Sequence, residues 1–197
     1  MNHTPQIKKA IQFAARKHHG QLRAEKEPLP YITHLFSVAL LVAEDGADDD
    51  TVSAALLHDT LEDTKTSREE LAAAFNERVA ALVTAVSEEK HRDGKKLDWQ
   101  ERKSAYLENL KTAPAEAVII ATADKIDNIE SKLEGLETEG DEMLERWSQL
   151  PERYAWYHSE ALAIAEARIP DHPLTKRLAE VYTRERSMLL AHVLAKK

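Results

Sequence analysis

The feature that most constrains the fold is residues 53–64, an apolar stretch that ends in one histidine and three acids. Its sequence is SAALLHDTLEDT. Residues four apart share a face of an α-helix, so His58 is expected above Glu62, and Asp59 above Asp63. The surrounding alanines and leucines predict an apolar environment, in which charged groups are costly to bury without a partner. We expect that partner to be a divalent cation; an acidic helix end in solvent is the alternative.

The composition limits which side chains can hold such a cation. The chain has 197 residues and no cysteine, which excludes disulfides, thiolate metal sites and cysteine nucleophiles. A metal must therefore be bound by His, Asp and Glu. The chain is 43% hydrophobic and 31% charged, which is typical of one soluble domain with a core. Because we find no signal-peptide pattern and no membrane-spanning run, we expect a cytoplasmic protein.

The charge is unevenly distributed along the chain. The formal net charge is −8, which argues against binding to a nucleic-acid polymer. Residues 1–26 nevertheless hold six Lys or Arg and only one acid. A basic N-terminal segment on an acidic chain favours a small phosphorylated ligand, with no membrane as partner. A solvated basic helix face is the alternative interpretation of this segment.

Helix is favoured almost throughout, because glycine is scarce and no alternating β-branched run predicts a strand. We predict an all-α, single-domain bundle of about ten helices with an interior metal site. Asp48 or Asp49 is expected to cap the central helix, which ends near residue 64. The other predicted helices are 4–19, 31–44, 67–75, 77–87, 99–111, 115–133, 141–150, 151–169 and 174–194. Residues 91–98 and 134–140 are predicted to be charged loops, and either has the composition of a mobile lid.

A second polar cluster follows another apolar helical run, at residues 119–129 (IIATADKIDNI). Read alone, it is equally consistent with an ordinary helix that emerges from the core. Read together with the first stretch and with a histidine in the second helix, it supplies the rest of a metal site. The predicted ligands are His34, His58, Asp59 and Asp124. This set of nitrogen and oxygen ligands suits Mn²⁺, Fe²⁺ or Zn²⁺ better than Ca²⁺ or Mg²⁺.

The order His, His-Asp, Asp resembles the pattern of the HD superfamily of metal-dependent phosphohydrolases. Four segments are also similar to the hydrolase domain of RelA/SpoT homologues: FAARKHHGQ (13–21), PYITH (30–34), AALLHDTLEDT (54–64) and ADKIDN (123–128). The similarity covers approximately residues 7–165, and the chain resembles the stand-alone small alarmone hydrolases of that family. On this basis we expect residues 1–170 to form the HD hydrolase domain. Residues 171–197 form a C-terminal helix that packs on the domain or at an oligomer interface.

The resemblance implies a role for each matching side chain. The four predicted ligands would bind Mn²⁺, with Fe²⁺ or Zn²⁺ as alternatives. Glu62 and Asp63 match the catalytic acidic pair, which orients and deprotonates the attacking water. Substrate contacts are implied for Arg23, Lys90, Asn128 and Tyr154.

The implied activity is hydrolysis of the 3′-diphosphate of guanosine 3′,5′-bis(diphosphate), giving GDP or GTP and pyrophosphate. Two other functions stay open at this point. One is an HD phosphohydrolase for another nucleotide with a ribose phosphate, such as NADPH. The other is a non-catalytic nucleotide-sensing module, against which the intact Glu62 and Asp63 argue. In each case the expected partner is a small phosphorylated nucleotide, and a homo-oligomer is compatible with the sequence.

Overall fold

Helices form nearly all the regular structure of residues 3–23 and 27–195, which the computed structural model describes. In chain order they are α1 (Pro5–Lys17), α2 (Ile32–Glu44), α3 (Asp49–Leu57), α4 (Thr60–Asp63), α5 (Arg68–Ala74), α6 (Glu77–Ala85), α7 (Trp99–Thr112), α8 (Ala115–Glu139), α9 (Asp141–Glu145), α10 (Pro151–Arg168) and α11 (Pro173–Ala195). The predicted all-α class is confirmed. Residues 196–197, at the end of the predicted C-terminal segment, lie outside the described residues.

A small hairpin interrupts the helices where the sequence predicted only a loop. Its strands are β1 (His91–Arg92) and β2 (Lys95–Lys96), which pair antiparallel. Asp93 and Gly94 connect them with φ angles of 50° and 75°. Asp-Gly is a preferred pair for such tight two-residue turns, so the turn was signalled in the sequence. The strands are too short to show an alternating pattern.

Helix α8 continues through residues 134–139, and the loop predicted for 134–140 is wrong. Gly140, with a φ of 61°, ends the helix instead. One glycine inside a helix costs only about 1 kcal/mol relative to alanine. Gly135 has a packing reason to be there, because a Cβ at this position would lie 2.8 Å from the Met143 sulfur. The following helix α9 is correspondingly shorter than the predicted 141–150.

The central helix is interrupted at the residues that matter most for the site. Helix α3 ends at Leu57 and α4 begins at Thr60, so His58 and Asp59 form a turn where a continuous helix was predicted. The Thr60 hydroxyl donates to the Leu57 carbonyl at 2.5 Å, which replaces a backbone hydrogen bond. The Asp63 N–H still donates to the Asp59 carbonyl at 2.9 Å. The predicted stacking therefore persists for this pair, although the helix does not run unbroken through His58.

Helix α3 lies at the centre of the bundle, and its packing positions the site. The predicted cap is confirmed, because the Asp48 side chain accepts the Thr51 N–H at 2.9 Å. Residues 51–57 are all buried, and α3 contacts α1, α2, α6 and α8. Helix α11 packs against α8 and α10 of the same chain. No helix in the described part of the chain has the length and apolar character to span a membrane.

Candidate active site

The four predicted metal ligands meet at the carboxyl end of α3. His34 lies in the first turn of α2, His58 and Asp59 in the turn after α3, and Asp124 in α8. One ligand atom from each of His34, His58 and Asp59 lies within 4.8 Å of the other two. Asp124 Oδ1 lies 3.2 Å from His34 Nε2 and 3.7 Å from His58 Nε2. The structure therefore brings together all four side chains from three separate parts of the chain.

The two imidazoles are fixed so that their Nε2 atoms face this cluster. His58 Nδ1 lies 2.8 Å from the Ala55 carbonyl oxygen, which can only accept, so Nδ1 carries the proton. His58 Nε2 is buried and makes no hydrogen bond among the described residues, and Asp59 Oδ2 lies 3.1 Å from it. His34 Nδ1 lies 2.6 Å from Asp127 Oδ2. Metal-binding histidines are typically oriented by such hydrogen bonds at the other ring nitrogen. The donors present therefore fit a divalent metal, and the cluster can bind one.

The electrostatics of the cluster also favour a cation. Burial alone would raise the pKa of Asp59, but the His58 imidazole holds it well below its usual range. Burial would also raise the pKa of Asp124, but the Lys125 ammonium and the two imidazoles hold it well below its usual value. The same carboxylates raise the pKa of His58 well above its usual value, against the effect of burial. The site can thus hold positive charge between two carboxylates whose side chains are only 15% and 14% exposed.

The two predicted catalytic acids lie beside the cluster in different environments. Burial, with the nearby carboxylates of Asp59 and Glu88, raises the pKa of Glu62 to about 7. Its Oε1 accepts the backbone N–H of Glu88 at 2.7 Å. Asp63 is more exposed, and its Oδ1 lies 2.7 Å from the Lys90 ammonium. A carboxyl group with a pKa near 7 can accept and return a proton at neutral pH, which favours Glu62 as the acid–base group.

The predicted substrate residues lie around the same site, although most already contact protein groups. Lys90 donates to the Glu62 carbonyl at 2.8 Å as well as to Asp63. The Asn128 amide donates to Asp124 Oδ1 at 2.5 Å. Arg23 reaches the Ser131 hydroxyl at 3.1 Å and Asp127 at 3.7 Å.

Tyr154, the last of the predicted substrate residues, also lies at the site. Its ring packs edge-on against Trp147, with 5.3 Å between the ring centroids. Its hydroxyl lies 2.8 Å from the Ser148 hydroxyl. The tyrosine borders the metal cluster's cavity, in which an aromatic face can contact a ligand.

Two adjoining cavities provide space for a ligand. One of about 290 Å³ contains the metal-binding cluster and the acidic pair. The other, of about 390 Å³, is bordered by aromatic rings and by cations: Tyr31, Trp147, Tyr154, Arg23, Lys132 and Arg146. The two cavities share Tyr31, Asn128, Lys132 and Tyr154 as lining residues. The two cavities therefore place the metal-binding cluster at one end of a connected space and aromatic rings at the other.

Sequence reasoning missed several side chains that support the cluster. The Tyr31 hydroxyl donates to Asp59 Oδ2 at 2.6 Å. Lys125 pairs with Asp124, and Lys103 pairs with Glu88 behind Glu62. Asp127 was visible as a polar residue of the second cluster, but helical spacing could not show that it contacts His34. Except for the Lys125–Asp124 pair, which lies within α8, these contacts join segments that are distant in the sequence, so no local pattern predicts them.

Asp127 offers a direct test of this supporting layer. We expect Asp127→Asn to lower metal affinity about 10–100-fold, because an amide accepts the His34 Nδ1–H more weakly than a carboxylate does. Asp171→Asn, at an exposed position, is the matched control. Metal titration followed by calorimetry measures the difference. Equal affinities in the two variants would show that Asp127 does not support the ligand.

Comparisons with known proteins identify the family of the chain. Residues 10–150 match the model of a family described as HD domain. A guanosine-3′,5′-bis(diphosphate) 3′-pyrophosphohydrolase of Aquifex aeolicus is 40% identical over 132 residues, covering 66% of this chain and 18% of that protein. A Drosophila melanogaster protein of the same enzyme name is 36% identical over 121 residues, or 60% of this chain and 65% of the relative. The chain thus spans less than two thirds of both relatives.

The fold is also similar to a solved structure. The structure is that of a metazoan ortholog of SpoT, described as hydrolysing ppGpp and playing a role in starvation responses. Its TM-score with this chain is 0.79 at 27% sequence identity. The similarity covers 95% of this chain and 99% of the other. It therefore includes α10 and α11, which follow the segment matched by the family model.

Proposed function

Because the chain belongs to the HD domain family, we propose that it hydrolyses the 3′-diphosphate of guanosine 3′,5′-bis(diphosphate). The products would be GDP, or GTP from the 5′-triphosphate form, and pyrophosphate. The observation that carries the proposal is the cluster of two buried imidazoles and two partly buried carboxylates beside Glu62. The enzyme names of the relatives support the choice of substrate.

His34, His58, Asp59 and Asp124 would hold the metal, for which we propose Mn²⁺, with Fe²⁺ or Zn²⁺ as alternatives. When bound, the metal would act as a Lewis acid toward a phosphoryl oxygen and would lower the pKa of a water molecule. The protein's own contribution is to orient the ligands through Asp127, Ala55 and Tyr31, whose contacts are described above. These contacts fix the donor atoms before the substrate arrives.

Glu62 is proposed to accept the proton of the attacking water. Its buried carboxyl, with a pKa of about 7, lies in the cluster's cavity. Asp63 and Lys90 would orient the water and the phosphoryl group at the cavity's edge, since their charged ends are 2.7 Å apart. Once the bond between phosphorus and the ribose 3′-oxygen breaks, a proton must reach that oxygen. Glu62 can return the proton that it accepted.

The adjoining cavity is proposed to bind the nucleoside. Tyr154, for which the resemblance implies a substrate contact, and Trp147 would present aromatic surface to a base. Arg23 and Asn128 border the same space and supply hydrogen-bond donors and an acceptor. Water-excluding aromatic walls with a few polar groups are typical of small-molecule sites.

A substrate panel with product identification tests the proposal. The metal-loaded protein is incubated with guanosine 3′,5′-bis(diphosphate), its 5′-triphosphate form and NADPH, and the products are separated by ion-exchange chromatography. We expect pyrophosphate with GDP or GTP, and slow or no reaction of NADPH. Orthophosphate released from NADPH at the higher rate would support the alternative HD phosphohydrolase. Tight binding without turnover of any nucleotide would support a sensing module.

A further inference from the structure

A buried histidine–glutamate pair joins α10 and α11 beside the proposed active site. His158 Nδ1 lies 2.7 Å from Glu185 Oε2 and 3.0 Å from Oε1. Their side chains are only 2% and 1% exposed. A buried ion pair adds little to the free energy of unfolding, because the cost of desolvating its charges offsets most of their attraction. Stability alone therefore does not explain the His158–Glu185 pair.

The His158 imidazole borders the same cavity as the metal-binding cluster. Its Nδ1 is engaged by Glu185, which fixes the orientation of the ring. Its Nε2 makes no hydrogen bond within the described part of the chain. This nitrogen is the one that remains to interact with a ligand in the cavity.

Lys132, on α8, borders the same cavity and is held in an unusual way. Its ammonium lies 3.4 Å from the ring centroid of Tyr154 and 5.1 Å from that of Trp147. Among the described residues no carboxylate lies within ion-pairing distance of it. Burial is the main cause that lowers its pKa to about 7. The aromatic faces carry no negative charge, so an anion that enters the cavity would be the group that compensates the Lys132 ammonium and favours its protonated form.

Other lysines of this cavity are already neutralised. Lys103 pairs with Glu88, and Lys125 pairs with Asp124. Lys132 therefore differs from both in having aromatic partners alone. It shares the cavity wall with His158, whose ring lies 6.1 Å from that of Tyr154. The cavity that contains the acidic pair and the metal ligands is thus also lined by Lys132 and His158, which can donate hydrogen bonds to an anion.

We propose that Lys132 and His158 form a subsite for the distal phosphoryl group of the 3′-diphosphate, with Glu185 positioning His158. This rests on the proposed function, in which the phosphoryl group joined to the ribose lies at the metal-binding cluster. The distal group then extends within the same cavity. Lys132 donates to its oxygens, and one proton shared between Nε2 and a phosphoryl oxygen completes a second hydrogen bond. Such charged hydrogen bonds are the strong ones.

The test compares two nucleotides that differ only in this group. They are guanosine 3′,5′-bis(diphosphate) and guanosine 5′-diphosphate 3′-monophosphate. Binding is measured by calorimetry on metal-loaded Glu62→Gln protein, in which turnover is slow. We expect Lys132→Met to weaken binding of the bis(diphosphate) about 10–100-fold, and to affect the 3′-monophosphate much less. Lys176→Met, at an exposed position of α11, is the matched control.

Glu185 needs a readout that distinguishes positioning from general support of the fold. We expect Glu185→Gln to raise the KM for the bis(diphosphate) selectively, with a smaller change in kcat. The double variant with His158→Gln should be little worse than His158→Gln alone, because Glu185 acts through that ring. A merely structural role predicts lower thermal stability and equal losses for both nucleotides. Glu180→Gln, exposed on the same helix, is the control.

The outcomes separate this inference from the proposed function. If wild-type protein releases pyrophosphate, but Lys132→Met affects both nucleotides equally or neither, the subsite is wrong and the function stands. If wild-type protein hydrolyses neither nucleotide, the proposed function is wrong. Selective loss of bis(diphosphate) affinity in Lys132→Met and in His158→Gln supports the subsite. If His158→Gln or Glu185→Gln does not fold, the comparison of the two nucleotides with Lys132→Met still decides whether the subsite exists.

Discussion

Glu62→Gln is expected to lower kcat about 10²–10⁴-fold while the protein keeps its metal and its affinity for substrate. The change is nearly isosteric, and Glu62 is not among the proposed ligands. What it removes is the carboxyl group that can take a proton from water within the cluster's cavity. Single-turnover kinetics at saturating Mn²⁺ measure the chemical step without product release. Metal content of the same samples shows whether the site is still occupied.

Asp63→Asn extends the test to the second acid. If the two acids act as a unit, this change lowers turnover by a similar factor, and the double variant is little worse than either single one. Glu69→Gln, at an exposed position of α5, is the matched control and should turn over at the wild-type rate. Near-wild-type rates for both Glu62→Gln and Asp63→Asn would rule out a catalytic role for the pair.

His58→Ala is expected to lose metal and activity together. Its Nε2 is a buried nitrogen without a hydrogen-bond partner in the described structure, so the ring has a clear use as a ligand. Without the imidazole, the carboxylates of Asp59 and Asp124 also lose a neighbour that compensates their charge. We expect the variant to retain far less than one Mn²⁺ per chain. We also expect added Mn²⁺ to raise the melting temperature of wild-type protein but not that of His58→Ala, since ligands stabilise the state that binds them.

Metal analysis by mass spectrometry and thermal scans with and without Mn²⁺ provide both readouts. His19→Ala, an exposed histidine at the end of α1, is the control. Asp124→Ala should behave like His58→Ala. Stoichiometric Mn²⁺ in both His58→Ala and Asp124→Ala would contradict the ligand assignment.

The location of the cluster could be predicted because two local rules point to it. The run before His58 is apolar enough to be buried, and a buried His-Asp pair requires a partner. The same reasoning applies to Asp124 after its apolar run. The turn that separates α3 from α4 could not be predicted, because a threonine at position 60 is compatible with a continuous helix. Only the structure shows that the Thr60 hydroxyl donates to the Leu57 carbonyl. Residues 134–139 were misjudged because glycine and acids suggested a loop, whereas packing of Gly135 against Met143 favours helix.

The contacts between distant segments are the part that the sequence could not predict. Asp127 and His34 are 93 positions apart, and Glu185 and His158 are 27 apart on different helices. Each pair forms only because tertiary packing brings two helix faces together. Lys132 would be read from its spacing as one more charged residue of α8. Its place between Tyr154 and Trp147 becomes visible only in the folded chain.

The most direct test of the central claim is turnover of guanosine 3′,5′-bis(diphosphate) in ¹⁸O-labelled water, followed by phosphorus NMR. The account predicts attack on the phosphorus joined to the ribose 3′-oxygen. The label should therefore appear in pyrophosphate and not in GDP, and turnover by metal-free protein should require added metal. Release of labelled orthophosphate, or no turnover by the metal-loaded wild-type protein, would contradict it.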